Sequence, residues 1–70
     1  MVHLDEMIMK YLEDHHGRVR IGTIYEVFDN YSKGYLYDRI RVLVRSGLIK
    51  EHSGMLVLAD LMKKRGRKRK

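Results

Sequence analysis

Ser32–Leu48, SKGYLYDRIRVLVRSGL, is the stretch whose reading decides the fold. It opens on a serine suited to capping a helix and closes on Gly-Leu, a helix stop. Between them Leu36, Ile40, Leu43 and Gly47 recur at intervals of three and four residues, so a helix places them on one face. Opposite them lie Gly34, Tyr37, Asp38, Arg41 and Arg45. One side can enter a core. The other, with two arginines and a tyrosine, can meet a polyanion.

Working upstream, Asp29-Asn30-Tyr31 is turn chemistry, because Asp and Asn tolerate left-handed backbone and cap locally. Before it, Ile21, Ile24, Val27 and Phe28 keep helical spacing, which predicts a short second helix over Gly22–Phe28. Two helices joined by a tight turn form a helix-turn-helix pattern. Arg18-Val19-Arg20 alternates polar and apolar, as a very short extended segment does. The first helix is expected over Val2–His16, with Leu4, Ile8, Tyr11 and Leu12 as its apolar stripe and Met7 at the edge. Asp5 and Glu6 fall in its first turn and His15 and His16 in its last, complementing the helix dipole, with Gly17 as the C′ residue.

Downstream of Gly47 the period changes from 3.6 to 2. Leu48–His52, then Ser53-Gly54, then Met55–Ala59 reads as a β-hairpin. With Ser53-Gly54 as the loop, Ile49 faces Leu58 and Glu51 faces Leu56. Ile49, Leu56 and Leu58 then share the inner face, and Met55, Val57, Lys50 and His52 the outer one. Asp60-Leu61-Met62 is expected to cap and start a last helical turn.

The chain of 70 residues is one domain, 1–62, followed by a basic tail, 63–70. So short a chain buries only about 60% of the surface its unfolded form exposes, which makes its core marginal. It has no cysteine, which excludes disulfides and thiolate metal sites. No apolar run approaches the roughly 20 residues that span a bilayer, and no signal peptide is read at the N-terminus. A soluble, cytoplasmic protein is expected, with no membrane partner.

The net charge of +6 is unevenly placed. Seven of the eight residues from Lys63 to Lys70 are Lys or Arg, whereas the eight basic residues of 1–62 are outnumbered by nine acidic ones. The body therefore carries one net negative charge and the tail supplies the whole excess. Positive surface on the body has to come from clustering, at Arg39, Arg41 and Arg45 on the central helix. The tail, KKRGRKRK, repels itself and is expected to be disordered until it meets an anion.

The order helix, short strand, helix, turn, helix, hairpin resembles that of winged helix-turn-helix DNA-binding domains, an α+β fold of three helices and a hairpin wing. Leu36, Ile40 and Leu43 followed by Gly47-Leu48-Ile49 is similar to the way many winged-helix regulators end a recognition helix and enter the wing. The resemblance covers roughly Leu4 to Ala59. Size, Lys/Arg/Ile/Tyr-rich usage and the basic tail look like small transcription regulators of archaea and their viruses or plasmids. The tip His52-Ser53-Gly54 departs from the pattern, having little of the positive charge that many wing tips carry.

This resemblance implies a third helix, residues 32–46, lying in the major groove of double-stranded DNA with Lys33, Tyr35, Tyr37, Asp38 and Arg41 available to bases. Arg41 is expected to read guanine, since its guanidinium can fork onto O6 and N7. Tyr37 suits a thymine methyl or a phosphate, and Asp38 a cytosine amine or the orientation of Arg41. Ser32, Lys33 and the free N–H groups of the first turn are candidate phosphate binders, as are Arg39 and Arg45. The bland alternative is an ordinary solvated helix face. Lys63, Lys64, Arg65, Arg67, Lys68, Arg69 and Lys70 are expected to hold phosphates non-specifically. The run from Lys64 to Lys68 resembles the Arg-Gly-Arg centre of an AT-hook without its flanking prolines, which opens a minor-groove reading.

Adjacent His15 and His16 diverge by about 100° on a helix and cannot readily grip one ion. His3 and His52 have no evident partner, so no metal or other cofactor is expected. No nucleophile has a base and an orienter, so no enzyme is expected either, and so small a domain leaves little room for a small-molecule pocket. Met55, Val57, Met1, Val2 and Met9 point to a homodimer, through the first helix, the C-terminal segment or both. Two alternatives stand beside the sequence-specific regulator: a non-specific architectural protein dominated by its tail, and a winged-helix protein–protein module.

Overall fold

The structure, a computed structural model, describes residues 2–59. Its elements in order are α1 (His3–Asp14), β1 (Arg18–Arg20), α2 (Ile21–Val27), α3 (Lys33–Arg45), β2 (Ile49–His52) and β3 (Met55–Leu58). The expected helical turn at Asp60-Leu61-Met62 and the tail fall outside the described residues.

α1 buries Leu4, Ile8 and Leu12, spaced by four, and carries Asp5 and Glu6 in its first turn as expected. It ends two residues before the expected His16. His15 is the C-cap, and both His16 (φ 65) and Gly17 (φ 83) are left-handed. The Gly17 N–H donates to the Leu12 carbonyl at 2.7 Å, the six-residue closure of a Schellman motif. Gly17 is therefore C″ rather than C′, and neither histidine lies in the last turn. The His15 ring stacks on Tyr11 at 4.0 Å, and its Nδ1 sits 2.8 Å from the Tyr11 carbonyl oxygen.

α2 runs one residue ahead of expectation at both ends, because Arg20 is still extended and Phe28 has already left helical geometry. Ile24 and Phe28 are buried. In α3 the Tyr35 N–H donates to Ser32 Oγ at 3.2 Å, the anticipated cap. At the far end Gly47 (φ 80) donates to the Val44 carbonyl at 3.0 Å and Leu48 to that of Leu43 at 3.1 Å. Gly47 is thus the exposed left-handed terminator. The buried face of α3 is Leu36, Ile40 and Leu43 without it.

The three strands form one antiparallel sheet of order β1-β3-β2. The hairpin register is the expected one, with Ile49 opposite Leu58 and Glu51 opposite Leu56. Ser53 (φ 52) and Gly54 (φ 81) both have positive φ, as a two-residue type I′ turn requires. β1 pairs along the other edge of β3, Arg18 with Val57, Val19 with Leu56 and Arg20 with Met55. Bonds from the Ile21 N–H to the Gly54 carbonyl and from the Leu58 N–H to the Gly17 carbonyl anchor its two ends.

The fold is α+β, three helices and a small antiparallel sheet. Val19, Ile49, Leu56 and Leu58 on one sheet face join Leu4, Ile8 and Leu12 of α1, Ile24 and Phe28, and Leu36, Ile40 and Leu43 of α3 in a single core. α1 packs on β1 and β3, and α3 on α1 and β2. Among the described residues no helix is long and apolar enough to cross a membrane.

Candidate nucleic-acid interface

Burying Leu36, Ile40 and Leu43 obliges α3 to present its other side to solvent. Lys33, Gly34, Tyr35, Tyr37, Asp38, Arg41 and Arg45 are all exposed, as Ser32 is at the cap. Tyr37, Asp38, Arg41 and Arg45 join Arg39 and Val42 around a shallow concavity of about 440 Å³. Arg41 lies one turn after Tyr37. Its Nη1 donates to the Tyr37 hydroxyl at 3.4 Å, and its guanidinium carbon lies 5.7 Å from the ring centroid. Asp38, expected to orient Arg41, forms no ion pair with it; Tyr37 takes that place. An arginine resting on a tyrosine keeps its donors unneutralised and loses some of its freedom, which favours a fork onto a planar acceptor.

Arg39 corrects the sequence reading most sharply. Expected among the phosphate contacts, it turns toward α1 and forks onto Asp5, Nε to Oδ1 at 2.9 Å and Nη2 to Oδ2 at 2.7 Å. The Asp5 side chain is only 4% exposed, and this is the one ion pair among the described residues. The hydrogen bonds from Arg39 hold the Asp5 carboxyl below its ordinary value, against the opposing effect of burial. The same pair raises Arg39. Asp5 adjoins Leu4 on the buried line of α1 and Arg39 adjoins Ile40 on that of α3, so periodicity sets each beside the core but carries no signal that the two meet. With Arg39 committed, Arg41 and Arg45 are the arginines of α3 left without a carboxylate among the described residues.

Ser32 and Lys33 stand at the start of α3, where the Ser32 hydroxyl is occupied by the Tyr35 N–H. The Tyr35 ring lies tilted against Tyr31 at 6.0 Å. On the opposite flank, burial pushes Tyr25 of α2 above its ordinary value, with Tyr37 and Glu51 adding to the shift. Lys63, Lys64, Arg65, Arg67, Lys68, Arg69 and Lys70 lie outside the described residues.

The structure also assembles a basic surface that sequence periodicity could not show. Because β1 pairs with β3, Arg18 and Arg20 align with Lys50 and His52 across the outer face of the sheet. No group of three or more His, Asp or Glu side chains able to hold a metal occurs among the described residues. No protein-family model, curated protein or solved structure matches this chain.

Proposed function

We propose that the chain is a winged helix-turn-helix regulator of transcription that binds double-stranded DNA sequence-specifically, with α3 as its recognition helix. The observation that carries the reading is the exposed Arg41–Tyr37 pair on the outer side of α3, with Arg45 one turn further and, among the described residues, no carboxylate neutralising either arginine. The order of elements supports it, since α2, a turn and α3 precede a hairpin whose sheet is completed by β1. On this reading Arg41 forks onto a guanine edge, Asp38 accepts from a cytosine amine, and Arg45 and Lys33 hold phosphates. Ser32 and Tyr35 shape the N-terminal approach. The tail residues, seven positive charges in eight positions, add affinity without sequence preference. A homodimer would match a palindromic site with half-sites about one helical turn apart.

The deciding experiment selects bound duplexes from random DNA at a fixed, stated salt concentration. Enrichment of one motif supports the reading, and a palindrome supports the dimer. Arg41→Ala then loses discrimination at one base pair by about 1–3 kcal/mol while keeping non-specific affinity. A pool that stays random sinks sequence specificity. It would favour the architectural alternative, which the concentration of net charge in the tail already keeps in view.

A further inference from the structure

We propose that the outer face of the sheet is a docking surface for α1 of a second copy of this chain. Strand register builds that face in two rows, Arg18–Val57–Lys50 and Arg20–Met55–His52. Arg18, Arg20, Lys50 and His52 are exposed and Met55 and Val57 half-exposed, with no carboxylate among the six. Two basic columns thus flank an apolar one. Neighbouring strands lie roughly 4.8 Å apart, so the basic columns stand about 10 Å from each other.

The chain carries the complement of this surface. Along α1 and its N-cap, Val2, Glu6, Met9 and Glu13 follow one another at four, three and four residues, so they form one stripe. Glu6 and Glu13 are exposed, Met9 is half-buried and Val2 is 39% exposed. Glu6 and Glu13 are separated by about 10 Å along the helix axis, at roughly 1.5 Å per residue. A helix crossing the strands sets one glutamate over each basic column and Met9 over Met55 and Val57 between them. None of the six residues is Phe, Tyr or Trp, and the apolar centre of the face suits a protein ligand better than a phosphate backbone.

The contact has to be between copies. α1 packs on the inner face of its own sheet, so its stripe cannot reach the outer face of the same molecule. Two different surfaces meet, and the contact either closes as a reciprocal pair or extends from copy to copy.

Sedimentation velocity on the full chain, without nucleic acid, tests this. The expected result is association at tens of micromolar in low salt that dissociates as added salt screens the charges. Arg18→Glu/Lys50→Glu and Glu6→Lys/Glu13→Lys should each be monomeric, and their equimolar mixture should associate again. Circular-dichroism melts check that each variant is folded; where a charge reversal prevents folding, alanine at the same positions should show the same loss of association. A monomeric wild type, a wild-type mass for Arg18→Glu/Lys50→Glu, or a mixture that stays monomeric overturns the proposal. An unchanged mass with weakened DNA binding assigns the face to phosphate instead, and equally overturns it. Because association is read without DNA, this test and the duplex selection fail independently.

Discussion

Asp5 sits on the buried side of α1 beside Leu4, a place a carboxylate occupies only with a partner, and Arg39 supplies two N–H groups from α3. The Asp5 carboxyl is held below the usual 3.8, so the ion pair stabilises the fold above that pH and the contribution is lost as pH falls through the lowered native value. Arg39→Met removes the partner and leaves the burial, which raises the carboxyl instead of lowering it. The variant should therefore melt well below wild type at pH 7, and the gap should narrow toward pH 3, where the Asp5 carboxyl is largely protonated in the unfolded state of either chain. Melts at pH 7, 5 and 3 check this; a gap constant over that range removes the pair from the account. Gly34 gives the opposite kind of prediction. It lies in the first turn of α3 with open space where a Cβ would stand. Gly34→Ala should stabilise the domain by about 0.5–1 kcal/mol through helix propensity. A lower melting temperature than wild type would show that the backbone there needs glycine.

At the scale of elements, α3 joins the rest of the core through Leu36, Ile40 and Leu43, and Leu43 is 1% exposed. Leu43→Ala should cost about 2–5 kcal/mol. That rivals the whole stability of a domain this size, so the variant should be largely unfolded at moderate temperature. A cooperative, near-native melt refutes its central place. The ends of α3 and the hairpin were legible because their determinants are local: Ser32 caps three residues on, Gly47 adopts the left-handed backbone, and Ser53-Gly54 sets a two-residue turn. The end of α1 was misread for a related reason. Gly17 attracted the C′ assignment, whereas a histidine at 16 tolerated the left-handed conformation and pushed the glycine to C″. Pairings between distant segments were not legible at all. Nothing in the alternation of Arg18-Val19-Arg20 says that it lies beside β3 rather than β2, and helical periodicity placed Arg39 on a flank without saying that Asp5 faced it. The outer-face residues of α3 were legible as a set, but the partner of Arg41 was not, because Tyr37 and Asp38 both lie within reach of it on a helix.

Across the whole molecule, positive charge falls into three groups with different surroundings. Arg41 and Arg45 stand on α3 around one concavity with Asp38, whose carboxylate tempers that surface and favours selective over general attraction to a polyanion. Arg18, Arg20 and Lys50 share the outer face of the sheet, on the side away from the core and, among the described residues, without a carboxylate beside them in the strand register. The third group, which supplies all of the net excess, is the seven Lys and Arg of the tail; Lys10 and Lys33 stand apart, and Arg39 is paired with Asp5. If the proposed function holds, selectivity belongs to α3 and most of the salt-dependent affinity to the tail. Each phosphate neutralised contributes about −0.9 to the slope of log affinity against log salt. Truncation before Lys63 should therefore make that slope shallower by roughly four to six, lower affinity for every duplex by one common factor, and leave the ranking of sequences unchanged. Titrations of a selected and a scrambled duplex at four salt concentrations measure all three quantities. A truncated chain that keeps the full slope would move the phosphate contacts onto the body, where Arg41, Arg45, Lys33 and the sheet arginines are the cations left to make them. One that loses its ranking along with its affinity would make the tail, and not α3, the reader of sequence.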